Sequence, residues 1–312
     1  MQFRFKGAAI LSSVVVASGY AGVAFSRPPP PPPPPYNPQI LYTVGSKGGS
    51  TATITVSNAD GTDVVSLYTS KNITGLNDVK FAPTGNQIIF SEQNDIKVLT
   101  YAVSSQGVTT TSVNTLASEP YTVLHVDVSP DGTQLLFVEH TADPNQWAVY
   151  VMSMTGGNRT PIQLMPAIYY DAVWAHSNSR IAVIQGGPVQ AGYGVQTIQV
   201  IDLTTNGITP VFTSTNNQLY QVSRLESAHT SDTLLFYATP TGSSTGVYTV
   251  DIGVPNTVTP IVAGWGPSFS LDDSMILFRG NATGDLFTLN ISANVQTQIT
   301  SKVVLGRPDF LP

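Results

Sequence analysis

The sequence predicts an all-β fold, a six-bladed β-propeller closed by sharing one blade between N- and C-terminal strands. Three observations support this prediction. Short alternating runs recur without a helical pattern, and a repeat of roughly forty to fifty residues is visible five times. The two ends of the chain together supply a sixth copy. Because a propeller blade contains four short strands, each interval has the length of one blade.

Short strands are predicted where apolar and polar residues alternate between Gly, Pro, Asn or Asp turns. Clear examples are residues 53–56 (TITV), 149–152 (VYVM), 198–201 (IQVI) and 286–289 (LFTL). From Gln39 onward, no segment keeps apolar residues at helical spacing over three turns. The folded part is therefore predicted to be built from strands.

The repeat combines one strand, a tight polar turn and a second, apolar strand. Its copies are residues 82–90 (APTGNQIIF), 129–137 (SPDGTQLLF), 175–183 (AHSNSRIAV), 228–236 (AHTSDTLLF) and 270–278 (SLDDSMILF). We call the second residue of each copy the anchor. The anchors are Pro83, Pro130, His176, His229 and Leu271.

The sixth copy is divided between the two ends. Residues 306–312 (GRPDFLP) resemble the strand that leads to an anchor, and residues 39–44 (QILYTV) resemble the apolar strand that follows the turn. The N-terminal part would supply strands near 40–44, 52–57 and 63–69, and the C-terminal part the innermost strand, with Phe310 buried between blades. Such closure leaves no free sheet edge.

The turn Ser129-Pro130-Asp131-Gly132 resembles the WD40-like repeat of TolB-type propellers, and residues 82–85 (APTG) and 154–158 (MTGGN) are similar to turns of that family. The resemblance covers residues 39–312. It implies a propeller fold, in a family that includes scaffolds, enzyme-associated modules and many proteins of unknown role. Asp131 is expected to serve the turn itself, because Asp and Gly at these positions satisfy its backbone geometry.

Three segments are predicted: a signal peptide (1–26), a polyproline spacer (27–38) and the propeller (39–312). Arg4 and Lys6 precede an apolar run at 7–18, with cleavage expected after Ala24 or Ser26. The alternative is an uncleaved membrane anchor. Residues 28–35 are all proline and should form a stiff extended helix. They act as a spacer or, alternatively, as a ligand for a proline-recognising domain.

The amino-acid composition argues against several classes of function. Lys and Arg total 13 against 19 acidic residues, and the net charge is −6, so nucleic-acid binding is not expected. There are no cysteines, which excludes disulfides, thiolate catalysis and Cys-based zinc sites. We expect an exported monomer in the periplasm or outside the cell, of bacterial origin, without stable membrane insertion after signal cleavage.

Candidate site residues emerge when the inner strands are aligned on their anchors. The residues two before the anchor are mostly apolar and should pack between blades. Those five before it are Asp78, His125, Asp171, Arg224, Gly266 and Arg307, and those three before it are Lys80, Asp127, Val173, Glu226, Ser268 and Asp309. Period-two alternation turns both polar sets towards the central channel. They form either a self-satisfied network or a binding funnel.

Aromatic residues precede four of the inner strands, as on many recognition surfaces. They are Tyr121, Tyr169, Tyr170, Tyr220 and Trp265. The predicted binding set in the central funnel combines charged and aromatic members. It consists of Asp78, His125, Asp171, Arg224, Arg307, Tyr170, Tyr220 and Trp265.

Signals of catalysis are weak. Residues 242–246 (GSSTG) fit the spacing of a serine nucleophile turn, but they lie in a predicted hairpin loop without the helix that this turn requires. No Walker A loop, dinucleotide fingerprint or EF-hand pattern is present, and no cofactor is predicted; the alternative is calcium in a loop such as Asp60–Asp63 or Asp143–Asn145. We therefore predict a non-catalytic module that binds protein or peptide partners. The alternatives are a hydrolase or lyase with its site in the funnel, and a structural or adhesive surface protein.

Overall fold

The computed structural model describes residues 39–46, 49–72, 76–83, 85–186, 194–281, 283–302 and 304–311, and only the backbone of Asn216 and Asn217. The predicted signal peptide and polyproline spacer lie outside the described residues, as does Pro312, the sixth anchor. Within the described part, no helix is long and apolar enough to cross a bilayer.

The described residues form six four-stranded antiparallel sheets and one four-residue helix, α1 (Ser214–Asn217). Each sheet is one blade, so the predicted six-bladed β-propeller is confirmed. Three strands come first along the chain and belong to the blade numbered 6 here. They are β1 (Ile40–Gly45), β2 (Ala52–Ser57) and β3 (Val65–Ser70).

Blades 1 to 3 follow, each given from its innermost strand outwards. Blade 1 contains β4 (Leu76–Phe81), β5 (Gln87–Glu92), β6 (Asp95–Ser104) and β7 (Gly107–Ser118). Blade 2 contains β8 (Val123–Val128), β9 (Gln134–His140), β10 (Trp147–Ser153) and β11 (Thr160–Pro161). Blade 3 contains β12 (Ile168–Trp174), β13 (Arg180–Gly186), β14 (Gln196–Asp202) and β15 (Gly207–Thr213).

Blades 4 and 5 repeat this arrangement, and the last strand returns to blade 6. Blade 4 contains β16 (Leu219–Ser227), β17 (Thr233–Pro240), β18 (Gly246–Asp251) and β19 (Val258–Ala263). Blade 5 contains β20 (Trp265–Phe269), β21 (Met275–Arg279), β22 (Leu286–Asn290) and β23 (Val295–Thr300). The innermost strand of blade 6 is β24 (Val304–Phe310).

Blade 6 joins the two ends of the folded chain. Strand β24 pairs with β1 in antiparallel register, with Ile40 opposite Phe310 and Val44 opposite Val304. The Leu311 N–H also donates to the Gln39 carbonyl oxygen (2.9 Å). The inner strands touch in the order β4, β8, β12, β16, β20 and β24, and β24 touches β4 again. These contacts close the ring.

The hydrophobic core lies between neighbouring blades. The second strand of each blade is buried on both faces, as in Ile88–Phe90, Leu135–Val138 and Leu234–Phe236. One core cluster unites blades 3 and 4, and another joins blades 5 and 6. A strand packed on both faces needs a continuous apolar run instead of simple alternation. The apolar run that ends each copy of the sequence repeat is therefore part of a second strand.

The polar turn of the repeat is satisfied internally, as predicted. Asp131 Oδ1 accepts hydrogen bonds from Ser129 Oγ (2.7 Å), the Thr133 N–H (3.0 Å) and Thr133 Oγ1 (2.8 Å). Gly132 has φ of +72°, which a residue with a side chain rarely adopts. In blade 5, hydrogen bonds from Ser270 and Ser274 lower the pKa of Asp272 to about 2. These aspartates stabilise turns.

Gly61 is expected to be essential to the contact between blades 6 and 5. It lies in the turn between β2 and β3 with φ of +80°, and a Cβ there would be 2.2 Å from the Ile299 carbonyl oxygen. Gly61→Ala must displace the backbone of β23 as well as strain its own φ. We expect it to lower the melting temperature measurably.

Gly242→Ala is the matched control. Gly242 has φ of +73°, but no atom lies within 4 Å of the added Cβ. It should cost only the backbone strain, about 1–2 kcal/mol. Equal melting temperatures for the two variants would show that Gly61 makes no constrained contact between blades.

Candidate binding site

Each inner strand begins with an irregularity in its pairing. Register shifts occur between Leu76 and Asp78, Val123 and His125, Tyr169 and Asp171, Ser223 and Glu226, and Trp265 and Ser268, and opposite Leu41 and Thr43 in β24. Such bulges change the direction of nearby side chains. Arg224 and Gly266 occupy the same repeat position, and both have positive φ, +58° and +60°.

The residues five before the anchors meet in a buried charge network. Arg224 Nη1 lies 2.9 Å from His125 Nδ1 and 3.7 Å from Asp78 Oδ1. His125 Nδ1 lies 3.5 Å from Asp78 Oδ2 and 3.6 Å from Asp171 Oδ1. Arg307 Nη2 lies 3.4 Å from Asp78 Oδ2. The structure thus brings together the five charged members of the predicted binding set.

Arg307 is the central cation of this network. Its side chain is fully buried, and its Nη1 donates to the Leu225 carbonyl oxygen and lies 3.5 Å from Glu226 Oε2. Burial opposes the ionisation of Asp78, but the charge of Arg307 and the neighbouring His125 and Arg224 outweigh it and lower the Asp78 pKa. Four of the five members are buried, and Arg224 is partly exposed.

A second charged group is formed by residues three before the anchors. Lys80 Nζ donates to Glu226 Oε1 (3.0 Å), Glu226 Oε2 (2.8 Å) and Asp309 Oδ1 (3.3 Å), and lies 3.9 Å from Asp127 Oδ1. We call Lys80, Asp127, Glu226 and Asp309 the floor cluster. Three carboxylates therefore face one ammonium group.

The carboxylates of the floor cluster differ in acidity. Burial, reinforced by the charge of Glu226 and opposed by Lys80, raises the pKa of Asp127 to about 7. Burial also raises the pKa of Asp309. For Glu226, burial is outweighed by Lys80 and Arg307, and its pKa is lowered. Asp127 is thus a carboxyl group whose ionised form the floor cluster disfavours.

Three carboxylates of the inner strands bridge to the next blade. Asp309 Oδ2 accepts from the Phe81 N–H (2.8 Å), Asp127 Oδ2 from the Trp174 N–H (2.8 Å) and Asp171 Oδ2 from the Leu225 N–H (2.9 Å). Charge-assisted hydrogen bonds of this kind fix geometry strongly. These contacts hold the blades in register and support the structural interpretation of the polar positions.

A cavity of about 360 Å³ opens at the end of the channel where the inner strands finish. We call it the channel-mouth cavity. The floor cluster lies at its base. The residues two before the anchors form its wall, and they are Phe81, Val128, Trp174, Ser227 and Phe310. The anchors form its rim, and they are Pro83, Pro130, His176, His229 and Leu271. All six blades contribute.

None of the eight residues of the predicted binding set lines this cavity. The expected aromatic mouth lay at the start of the inner strands, whereas the cavity lies at their ends. At the start of the inner strands, the Trp265 ring packs on Arg279, and Tyr170 makes an edge contact with Trp147 of blade 2. Tyr220 is half-buried in β16, opposite Thr239. Ligand binding by the predicted set stays a prediction.

The expectation that Phe310 is buried between blades was wrong in part. Phe310 packs against the core shared by blades 5 and 6, but it is only half-buried and also lines the channel-mouth cavity. Phe81 and Trp174 also line the cavity while remaining nearly fully buried. The positions two before the anchors, which were expected to pack between blades, thus also supply apolar surface to the cavity.

These observations define a six-bladed propeller with an open cavity at one channel mouth. The sequence matches no protein-family model and no curated protein. Among solved structures, TolB from Acinetobacter baumannii is similar with a TM-score of 0.68 and 15% identity, over 90% of this chain and 68% of that chain.

Two further structures are similar along nearly their whole length. A chain of a nidogen/laminin complex has a TM-score of 0.65 and 8% identity, over 88% of this chain and 99% of that chain. A protein of Agrobacterium tumefaciens assigned as TolB has a TM-score of 0.61 and 11% identity, with the same coverage of 88% and 99%. The fold is therefore a TolB-type β-propeller.

Proposed function

We propose that this protein is a non-catalytic binding module that takes a protein or peptide segment into the channel-mouth cavity. One observation carries the proposal: six separate blades contribute residues to a single open cavity with an apolar wall and a charged floor. Binding sites commonly combine a concave apolar lining with a few polar groups that set orientation. The rigid ring holds these groups in place without a ligand.

The cavity chemistry favours an apolar side chain that carries or neighbours a cationic group. Phe81, Trp174 and Phe310 offer aromatic surface, which supplies much of the energy in protein interfaces. Below them, three carboxylates face the single ammonium of Lys80. An acidic segment would meet repulsion there, whereas a basic one would compensate the excess carboxylate.

The similar structures are consistent with a binding role at the level of fold. One of them is a chain of a nidogen/laminin complex, so a propeller of comparable architecture occurs in an assembly with another protein. We further propose export to the periplasm or the cell surface. The basic start, the apolar run at 7–18 and the proline run at 28–35 support this part of the proposal.

Selection from a random peptide library tests the proposed site. Peptides enriched on the purified protein are expected to lose binding at least tenfold when Leu271→Arg is introduced. Leu271 is 52% exposed on the cavity rim, so this change should block the mouth and leave the fold intact. The measurement is peptide affinity by fluorescence polarisation, together with the melting temperature of each variant.

Val295→Arg is the matched control. Val295 is 56% exposed in β23, the outermost strand of blade 5, and is not part of the cavity. Val295→Arg introduces the same charge at similar exposure, and the affinity for the peptides should stay unchanged. The proposal fails if no peptide is enriched, or if the enriched peptides bind Leu271→Arg as tightly as the unmodified protein.

A second candidate function is an enzyme with its site in the same cavity. The observation in its favour is Asp127, a cavity carboxyl group whose pKa is raised to about 7, as general acids and bases require. Within the described ranges, no group of three His, Asp or Glu residues forms a metal site. A hydrolase or lyase activity lost in Asp127→Asn would favour this alternative.

A further inference from the structure

Arg279 is a buried cation that has no anionic partner among the residues that the structure describes. It is 8% exposed at the end of β21. All 19 Asp and Glu residues of the sequence lie among the described residues, and none has an oxygen within 4.0 Å of its guanidinium. The other described arginines each have a carboxylate within that distance. They are Arg159, Arg180, Arg224 and Arg307.

The surroundings of Arg279 leave part of its donor capacity unused. Its Nη1 donates weakly to the Gly306 carbonyl oxygen at 3.4 Å, and its Nε is buried without a hydrogen-bond partner. The guanidinium carbon lies 4.1 Å from the centre of the Trp265 ring. Stacking on an aromatic face orients a guanidinium but does not satisfy its N–H groups. The group is therefore held in place with donors free.

The position of Arg279 is distinct from the channel-mouth cavity. Arg279 pairs with Trp265 at the start of β20, where the inner strands begin, and contacts Gly306 at the start of β24. It thus lies at the seam between blades 5 and 6, at the opposite end of the channel. Tyr237 of blade 4 makes an edge contact with Trp265, with ring centroids 6.4 Å apart.

Arg279 carries its positive charge in buried surroundings. Burial, together with the charge of Arg224, lowers the pKa of Arg279 to about 10. At neutral pH the side chain therefore remains charged. An uncompensated buried charge is strongly destabilising. An anion from solution would supply the missing counter-ion.

We propose that Arg279, stacked on Trp265, binds the carboxylate group of a ligand at the seam between blades 5 and 6. A carboxylate matches the planar fork of a guanidinium with two parallel hydrogen bonds. The site lies apart from the one in the proposed function, and each can fail alone.

The test is an NMR titration of the whole protein at constant ionic strength. Propionate is expected to shift the Trp265 indole N–H resonance saturably, because a carboxylate on Arg279 changes the charge over that ring. Propionamide, which has the same shape without the charge, should leave it in place. Trp147 and Trp174 are internal controls, since both lie elsewhere.

The source of the carboxylate is distinguished by two further probes. N-acetylglycine presents the C-terminal carboxylate of a chain, and N-acetylaspartate N′-methylamide presents an acidic side chain within one. Stronger binding of the first assigns a chain terminus, and stronger binding of the second assigns an acidic side chain. Both results support a carboxylate site.

Three substitutions complete the test. Arg279→Met keeps the apolar stem, should abolish the propionate shift and should melt at or above the temperature of the unmodified protein. Arg307→Met removes a paired buried arginine and should melt several degrees lower. Arg279→Lys, which keeps the charge without the fork, should weaken binding. No propionate shift in the unmodified protein, or an equal shift in Arg279→Met, would overturn the proposal.

Discussion

Removal of residues 306–312 is expected to leave the protein unfolded or aggregated. The deletion takes away most of β24, the innermost strand of blade 6, and exposes the edge of β1. It also removes Arg307, the cation that holds Asp78, and Asp309, which binds the Phe81 N–H and Lys80. These seven residues thus connect β1 of blade 6 with β4 of blade 1.

The free energy lost through the deletion is expected to exceed the free energy of unfolding of a typical protein. Breaking a buried ion pair by removing one partner costs about 3–5 kcal/mol. Here Arg307, the partner of the buried Asp78, disappears together with Asp309 and the half-buried Phe310, against a total stability of about 5–15 kcal/mol for a typical protein. A newly exposed strand edge also promotes association with other chains. Loss of cooperative unfolding is therefore the expected result.

Thermal unfolding by circular dichroism, with size-exclusion chromatography, measures this outcome. The control is the full-length protein with residues 295–298 changed to serine, because all four side chains are exposed in the outermost strand of blade 5. That variant should melt close to the unmodified protein. A truncated protein that melted cooperatively at the same temperature would show that β24 does not hold the ring closed.

The propeller fold could be predicted because its signals are local and repeated. The turn at Ser129–Gly132 specifies its own hydrogen bonds, and each second strand carries an apolar run that both of its faces require. Alignment of the copies on their anchors then gave the inner strands and both polar positions. The strands predicted near 40–44, 52–57 and 63–69 correspond to β1, β2 and β3, the last of which begins at Val65.

The candidate site was harder to predict because alternation places side chains on a face but not at a depth. Asp78 and Lys80 both point into the channel, yet only Lys80 lies at the cavity. The bulges at the start of the inner strands leave no signal in composition, apart from Gly266. Arg279 was missed because it lies on a second strand, outside the aligned positions. Its contact with Trp265 depends on the pairing of β20 with β21.

The floor cluster gives the second large prediction: neutralising two of its carboxylates should have opposite effects. Glu226→Gln removes the charge that both Lys80 and Arg307 contact, and it should lower the melting temperature strongly at pH 8. Breaking such a buried pair typically costs about 3–5 kcal/mol. Asp127→Asn should instead raise the melting temperature at pH 8, since the site disfavours the ionised form of this group.

The dependence on pH separates the two residues further. The pKa of Asp127 is higher in the folded protein than in the unfolded chain, so its contribution is present below about pH 4 and is lost as the pH rises through about 7. The pKa of Glu226 is lowered, so its contribution is present above its ordinary pKa of 4.5 and is lost as the pH falls. Asp127→Asn should therefore gain most over the unmodified protein at pH 8 and less at pH 5.

Asparagine also preserves the geometry at position 127, which makes the comparison specific to charge. Its side-chain oxygen can still accept from the Trp174 N–H, the hydrogen bond that links blades 2 and 3. Lys80 retains Glu226 and Asp309 as partners. Melting temperatures of both variants at pH 5 and pH 8 show whether the two substitutions have opposite effects on stability. If Asp127→Asn is destabilising at pH 8 by as much as Glu226→Gln, then Asp127 is a stabilising anion, and the cavity floor carries no excess carboxylate.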